Sequence, residues 1–154
     1  MADGVSITPA EPGDIPELSR LLGQLFAQEH EFTPDPQTQA RGLAAIVDDP
    51  ARGVILVART PTRVVGMVNL LWSLSTALGA PVALFEDLIV APDWRARGVG
   101  TALVEAAIGA ARAHGCRRVT LLTDHDNLAA QGFYTQRGFR MSTMRPMRLM
   151  LDDR

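Results

Sequence analysis

The sequence predicts a single mixed α/β domain over residues 1–154, a central β-sheet with flanking helices in the order β-αα-βββ-α-β-α-β. Three observations predict it. Strand-length runs rich in Val, Ile and Leu alternate with segments whose apolar residues return at helical spacing. The 154 residues, 47% of them hydrophobic, suffice to bury a core without covalent staples. Finally, a turn with two glycines and two arginines joins an apolar strand to a long helix, and no repeat or linker divides the chain.

The elements follow in order. Val5 to Thr8 alternates as a strand. Asp14 then caps a helix carrying Ile15, Leu18, Leu22, Leu25 and Phe26 on one face, with Glu17 completing an aspartate version of the capping box. A polar stretch, Gln28 to Gln39, separates it from a shorter helix over Ala40 to Val47, closed by Asp49-Pro50. Gly53 to Arg59 and Val64 to Leu71 form a hairpin about Thr60 to Arg63, the second strand reaching Leu74, and Val82 to Val90 is the next strand. From Gly98 to His114, Val99, Leu103, Ala106, Ala107, Ala110 and Ala111 make the apolar face of a helix that Gly115 stops. Arg118 to Thr123 reads as a strand and Asn127 to Gln136 as a short helix closed by Gly138. Phe139 to Leu151 reads as a closing strand or pair of strands.

Bulk charge narrows the function. A net charge of −2 and a pI near 5.9 lack the basic field of a nucleic-acid binder, so any anion site must be local. All 15 basic residues are arginine, which excludes a lysine Schiff base or a P-loop lysine. Cys116 is the only cysteine, and the apolar runs are strand-length, so a soluble cytoplasmic protein with no membrane partner is expected. His30, His114 and His125 show no metal-ligand spacing, so no metal is expected. Ser73, Ser75 and Ser142 lack a nucleophile elbow.

The segment Ala91-Pro-Asp-Trp-Arg-Ala-Arg-Gly-Val-Gly-Thr101 lies where a strand ends and a helix begins. First-turn amides of a helix have no intrahelical partners, and with the helix dipole they bind anions. Gly98 and Gly100 permit close backbone approach, and Arg95 and Arg97 add charge-assisted bonds. From these residues alone an ordinary helix start and a dinucleotide site remain open. The latter would use Asp124 for a ribose, but Leu103 stands where its fingerprint wants glycine or alanine, and Pro92 to Arg97 separate the glycines from the strand.

Arg95, Gly98 and Gly100 match in full the acyl-CoA turn of the GNAT N-acetyltransferase superfamily, whose pattern is Arg or Gln, two residues, Gly, one residue, then Gly or Ala. Phe85 to Leu103 resembles that family's fourth strand, turn and third helix without a gap. Asn127, Tyr134 and Gly138-Phe139 resemble its second motif, so the likeness extends over nearly the whole chain.

The resemblance implies acetyl-CoA as co-substrate, its pyrophosphate held by Arg95, Ala96, Arg97, Gly98, Val99, Gly100 and Thr101. It implies main-chain contacts to the pantetheine arm from Leu88, Ile89 and Val90, with the Leu88 or Ile89 amide as oxyanion donor, and places Asn127 on the same arm. Glu86 lies in an otherwise apolar strand, where desolvation would raise a carboxylate pKa; solvent exposure or an arginine partner is the alternative. Resemblance to members with Glu-Asp here, the diamine acetyltransferase type, makes Glu86 the general base through water. Strand alternation turns Asp87 to the opposite face. Tyr134, the single tyrosine, would be a core residue by its own context, and becomes the general acid for the CoA sulfur by resemblance.

In such proteins the acceptor enters between the helix pair and the late strands, which selects Phe26, Glu29, His30, Glu31, Phe32, Trp72 and Met144. Glu29, Glu31 and Asp35 suggest a cationic amine, or simply a solvated loop. The expected partner is thus an amine acceptor, of a small molecule or of a peptide, with acyl-CoA binding without catalysis as the third reading. Family habit and the apolar Met144 to Leu151 segment suggest a homodimer.

Overall fold

The computed structural model describes residues 4–29 and 33–152, and the chain forms two compact units, one through Leu122 and one from Thr123. The first unit holds a five-stranded sheet in sequential order: β1 (Ser6–Pro9), β2 (Gly53–Arg59), β3 (Val64–Ser75), β4 (Ala80–Val90) and β5 (Val119–Leu121). All neighbours are antiparallel except β4 and β5, which run parallel through α3 (Val99–Ala113). Short turns join β2 to β3 and β3 to β4, and the helical crossover makes the parallel pair.

Helices α1 (Ile15–Phe26) and α2 (Pro36–Val47) lie between β1 and β2 in the chain. Leu18 and Leu22 of α1, Leu43 of α2, Ile55 and Val57 of β2, and Val65, Met67 and Leu70 of β3 are almost completely buried. With Val99, Leu103 and Val104 of α3 they form the core. Each such side chain contributes roughly 1.5–3 kcal/mol through removal from water.

The capping expected of Asp14 is corrected. Asp14 ends a 3-10 turn over Pro12–Asp14 and already has helical dihedrals (φ −81°, ψ −16°), whereas a capping residue needs extended backbone to fold its side chain onto the first turn. Its carboxylate instead accepts the Glu11 amide (2.8 Å) and both Arg59 guanidinium nitrogens (2.9 and 2.8 Å), pinning the start of α1 to β2. That bidentate guanidinium holds the Asp14 pKa below its ordinary value. Glu17 accepts the Val64 amide at the start of β3 (3.0 Å) rather than closing a box.

Helix α2 starts at Pro36, four residues earlier than the pattern predicts. Asp35 is its cap, accepting from the Thr38 amide (3.2 Å) and hydroxyl (2.8 Å), with Pro36 at the position where a missing N–H costs nothing. Gln39 sends Nε2 to the Ser19 carbonyl (2.8 Å) and so joins α2 to α1. Strands β3 and β4 each extend beyond prediction, to Ser75 and from Ala80, around a turn in which Gly79 takes φ +62°.

The second unit contains α4 (Leu128–Thr135), ended at Gly138 with φ +98°. The closing strand expected over Phe139 to Leu151 does not form: residues 139–152 carry no regular element. Apolar composition without strict alternation, interrupted by Pro146, which has no amide hydrogen to donate, does not specify a strand. Met141, Met144, Met147, Leu149, Met150 and Leu151 are all exposed.

Candidate active site

Strand β4 changes character at its middle. Parallel pairing with β5 runs from Ala83 to Phe85, and no strand of the first unit continues it along Glu86 to Val90. On the other edge the register with β3 slips by one residue: Asn69 faces Glu86 while Met67 faces Ile89, so Asp87 and Leu88 together oppose Val68. Such a bulge bends and twists the strand carrying the extra residue. Asp87 takes φ +57°, the left-handed region that most side chains avoid.

The bulge breaks the simple alternation expected of Glu86 and Asp87: Asn69, the register partner of Glu86, sends Nδ2 to the Asp87 carboxylate (3.3 Å). Asp87 is also the perturbed carboxylate of this strand: burial, the larger effect, and the nearby Glu86 charge push its pKa up to about 6, with the Asn69 bond opposing them. Sequence reasoning set Asp87 aside by alternation and did not single out Asn69. The available signal was an asparagine inside the apolar run Val64-Val-Gly-Met-Val-Asn-Leu-Leu71, where a buried amide needs a partner.

Beyond Val90 the chain makes a 3-10 turn over Pro92–Trp94 and then enters the glycine–arginine segment. Ala96 (φ +60°) and Gly98 (φ +83°) are both left-handed, alternating with Arg95 and Arg97. Arg95 itself is extended (φ −69°, ψ 155°), so the chain turns sharply at Ala96 and again at Gly98 before it enters α3. Gly98 is the residue before α3, whose internal ladder begins at the Ala102 amide bonded to the Gly98 carbonyl (3.1 Å), so the Val99 and Gly100 amides precede it. Arg95 reaches back to the Val90 carbonyl through Nε (3.2 Å), joining the turn to the end of β4. The Arg97 guanidinium lies over the Trp94 ring at 4.4 Å, and Asp93 is held by Arg63 at 2.7 Å. Val99 is buried and anchors the first turn of α3, while Gly98 is exposed and Gly100 and Thr101 are half-buried. Leu88, Ile89, Val90 and the Arg95–Thr101 turn therefore form one continuous path in the first unit, and the helix entrance with its two arginines suits an anionic group.

In the second unit Asn127 caps α4, its Oδ1 accepting the Ala130 amide (3.1 Å). The carboxamide NH2 is not used by that cap. Tyr134 sits edge-on to Phe133 (5.3 Å) and Phe139 (5.7 Å), and burial pushes its pKa up to about 12. Its hydroxyl is protonated at any physiological pH, as a proton donor must be.

Of the predicted acceptor residues, His30, Glu31 and Phe32 lie outside the described residues. Phe26 and Glu29 are half-buried at the end of α1 and just beyond it. Trp72 is stacked on His114 (4.2 Å between centroids, 7° between planes), which commits one face of its ring to the C-terminal end of α3. Met144 is exposed. Asp35 is committed to capping α2, and its Thr38 bonds hold its pKa below the ordinary value. The described residues contain no group of three or more acidic, histidine or cysteine side chains placed to hold a metal, and no helix among them is long and apolar enough to cross a membrane.

Comparison with known proteins shows the family. The acetyltransferase (GNAT) family profile matches residues 16–139, a stretch including both units' motifs. The chain is 30% identical over 125 residues to an uncharacterized N-acetyltransferase of Bacillus subtilis, covering 79% of this chain and 83% of that one. It is 33% identical over 146 residues to a glucosamine 6-phosphate N-acetyltransferase of Trypanosoma brucei brucei, covering 92% of each. Among solved structures, a Trypanosoma brucei acetyltransferase superposes with a TM-score of 0.75 at 30% identity over 96% of this chain and 99% of that one. A possible acetyltransferase from Clostridium difficile 630 reaches 0.87 at 14% identity, covering 97% and 99%, a likeness of fold.

Proposed function

Because the chain belongs to the acetyltransferase (GNAT) family and is an acyltransferase enzyme, we propose that it transfers the acetyl group of acetyl-CoA directly to the primary amine of a small molecule. The observation that carries this reading is the α3 entrance, where left-handed Ala96 and Gly98 and the pre-helical amides follow a β4 half-strand without a β5 partner. Residues 1–154 act as one catalytic domain in a reducing, cytoplasmic setting, and the single Cys116 suits it.

When bound, acetyl-CoA supplies an activated thioester carbonyl. In the proposed cycle the amides of Val99 and Gly100, with Ala96, Arg95, Arg97 and Thr101 around them, hold the diphosphate, while Leu88, Ile89 and Val90 offer main-chain groups to the arm. The Leu88 or Ile89 amide stabilises the negative charge developing on the carbonyl oxygen. Glu86, through water, takes a proton from the acceptor ammonium; the neutral amine then attacks, the new N–C bond forms, the C–S bond breaks, and the nitrogen's second proton passes to solvent, from which Tyr134 regains the one it gives to sulfur. Tyr134 protonates the departing sulfur, and Asn127 donates from its carboxamide NH2 to the arm.

For the acceptor, an amino-sugar phosphate is favoured over the diamine suggested by the Glu86-Asp87 pair. A relative matched over 92% of both chains carries that activity in its name, and Asp35, one of the acids that hinted at a cationic amine, is used as a helix cap. The test is release of free thiol from acetyl-CoA across a panel of glucosamine 6-phosphate, aliphatic diamines and lysine-containing peptides. Turnover with glucosamine 6-phosphate or another small primary amine is expected. Thiol release with peptides alone would make the enzyme a peptide acetyltransferase, and none above background hydrolysis would leave an acyl-CoA-binding domain.

A further inference from the structure

The bulge in β4 requires an explanation in side chains, because a non-glycine residue in the left-handed region persists where its surroundings fix it. At Asp87 the surroundings are specific. Its carboxylate receives Asn69 Nδ2 at 3.3 Å across the slipped register, and Asn69 is 5% exposed on a strand whose neighbours Val68 and Leu70 are fully buried. The Asn69 Oδ1 atom is buried and has no hydrogen-bond partner among the described residues. An orphaned acceptor in such a place is costly, so the amide is poorly explained as packing alone.

We infer that Asn69 and Asp87 are a positioning pair: their cross-strand contact fixes the left-handed bulge, and the bulge sets the direction in which the Leu88–Val90 main chain meets the acyl donor. This rests on the proposed use of that main chain by acetyl-CoA. The pair acts through backbone geometry, and Asp87 accepts no proton from the amine. A side chain that both accepts from Nδ2 and donates to Oδ1 satisfies Asn69 completely, which a carboxyl does in its neutral form and an asparagine does at any pH. Burial lifts the Asp87 pKa to about 6, so at neutral pH the carboxyl is mostly ionised and holds Asn69 through Nδ2 alone.

Three variants test this by acetyl-CoA calorimetry, steady-state kinetics and amide hydrogen exchange. Asn69→Leu and Asp87→Ala should each weaken acetyl-CoA binding at least tenfold and speed exchange at Leu88 and Ile89, with the amine KM within threefold of native. Asp87→Asn tolerates the left-handed backbone and supplies both hydrogen bonds, so its binding and kcat should stay within about threefold of native. Native-like binding and exchange in Asn69→Leu would overturn the inference, and that variant serves if Asp87→Ala fails to fold, since it replaces a buried amide by a side chain of similar size. An Asp87→Asn enzyme that binds normally but loses catalysis would overturn it differently, making the carboxylate itself a reacting group. Failure of the native protein to bind acetyl-CoA would instead refute the proposed function, and needs no variant to be seen.

Discussion

Tyr134 and Glu86 are assigned opposite proton movements, and their substitutions should separate. Tyr134→Phe keeps the ring between Phe133 and Phe139 but removes the donor, so kcat should fall roughly 10- to 1000-fold with acetyl-CoA affinity nearly unchanged. Burial places the native Tyr134 pKa near 12, so the phenol stays protonated across the assay range and no alkaline loss of rate from its ionisation should appear below about pH 11. Glu86→Gln keeps shape but cannot accept a proton, and should move the optimum upward, toward the amine's own pKa of about 10 for a lysine-like acceptor. An unaltered pH profile would assign the base to water or another group. Loss of acetyl-CoA binding in Tyr134→Phe would make Tyr134 a packing residue.

At the scale of elements, the site depends on how α3 is seated against the sheet. Gly66 of β3 lies beneath its first turns: a Cβ there would stand 3.1 Å from the Ile89 carbonyl oxygen, 3.1 Å from Leu103 and 3.4 Å from Val99. Gly66→Val should therefore destabilise by about 1–3 kcal/mol and weaken acetyl-CoA binding, because relief requires α3 or β4 to move. A denaturation midpoint at or above native would contradict this seating. The strands and α3 were legible in the sequence because their apolar periods are long and their ends are marked, as by Gly98 before α3 and Gly115 after it. The turn between β4 and α3 was legible as a strand-to-helix junction because its glycines are local markers. The bulge at Asp87 was not, since it arises from a one-residue slip against β3 that no pattern within β4 records. Asp14 and Glu17 misled for a related reason: their spacing fits a capping box, but Arg59 and the Val64 amide, distant in sequence, claim both carboxylates. Residues 139–152 misled because apolar content was taken as a strand without a partner to pair with.

For the whole molecule, the run from Met141 to Leu151 leaves four methionines and two leucines exposed on a single copy, an apolar surface of the kind that a partner normally covers. A second copy is the expected partner, and light scattering at micromolar concentration should give a dimer; a monomer would end that expectation. The central claim, that acetyl-CoA is held at the entrance of α3, is tested most directly by calorimetric titration of acetyl-CoA into the native protein and Gly100→Leu, with NADH as the control ligand. Gly98 is unsuited to this because its φ of +83° would confound binding with folding, whereas Gly100 lies inside the helix and accepts leucine without backbone strain. The account predicts saturable binding to the native protein, at least tenfold weaker binding to Gly100→Leu, and weaker binding of NADH. Equal acetyl-CoA affinity in both proteins would contradict it by placing the cofactor elsewhere, and tighter binding of NADH would replace it with a dinucleotide site.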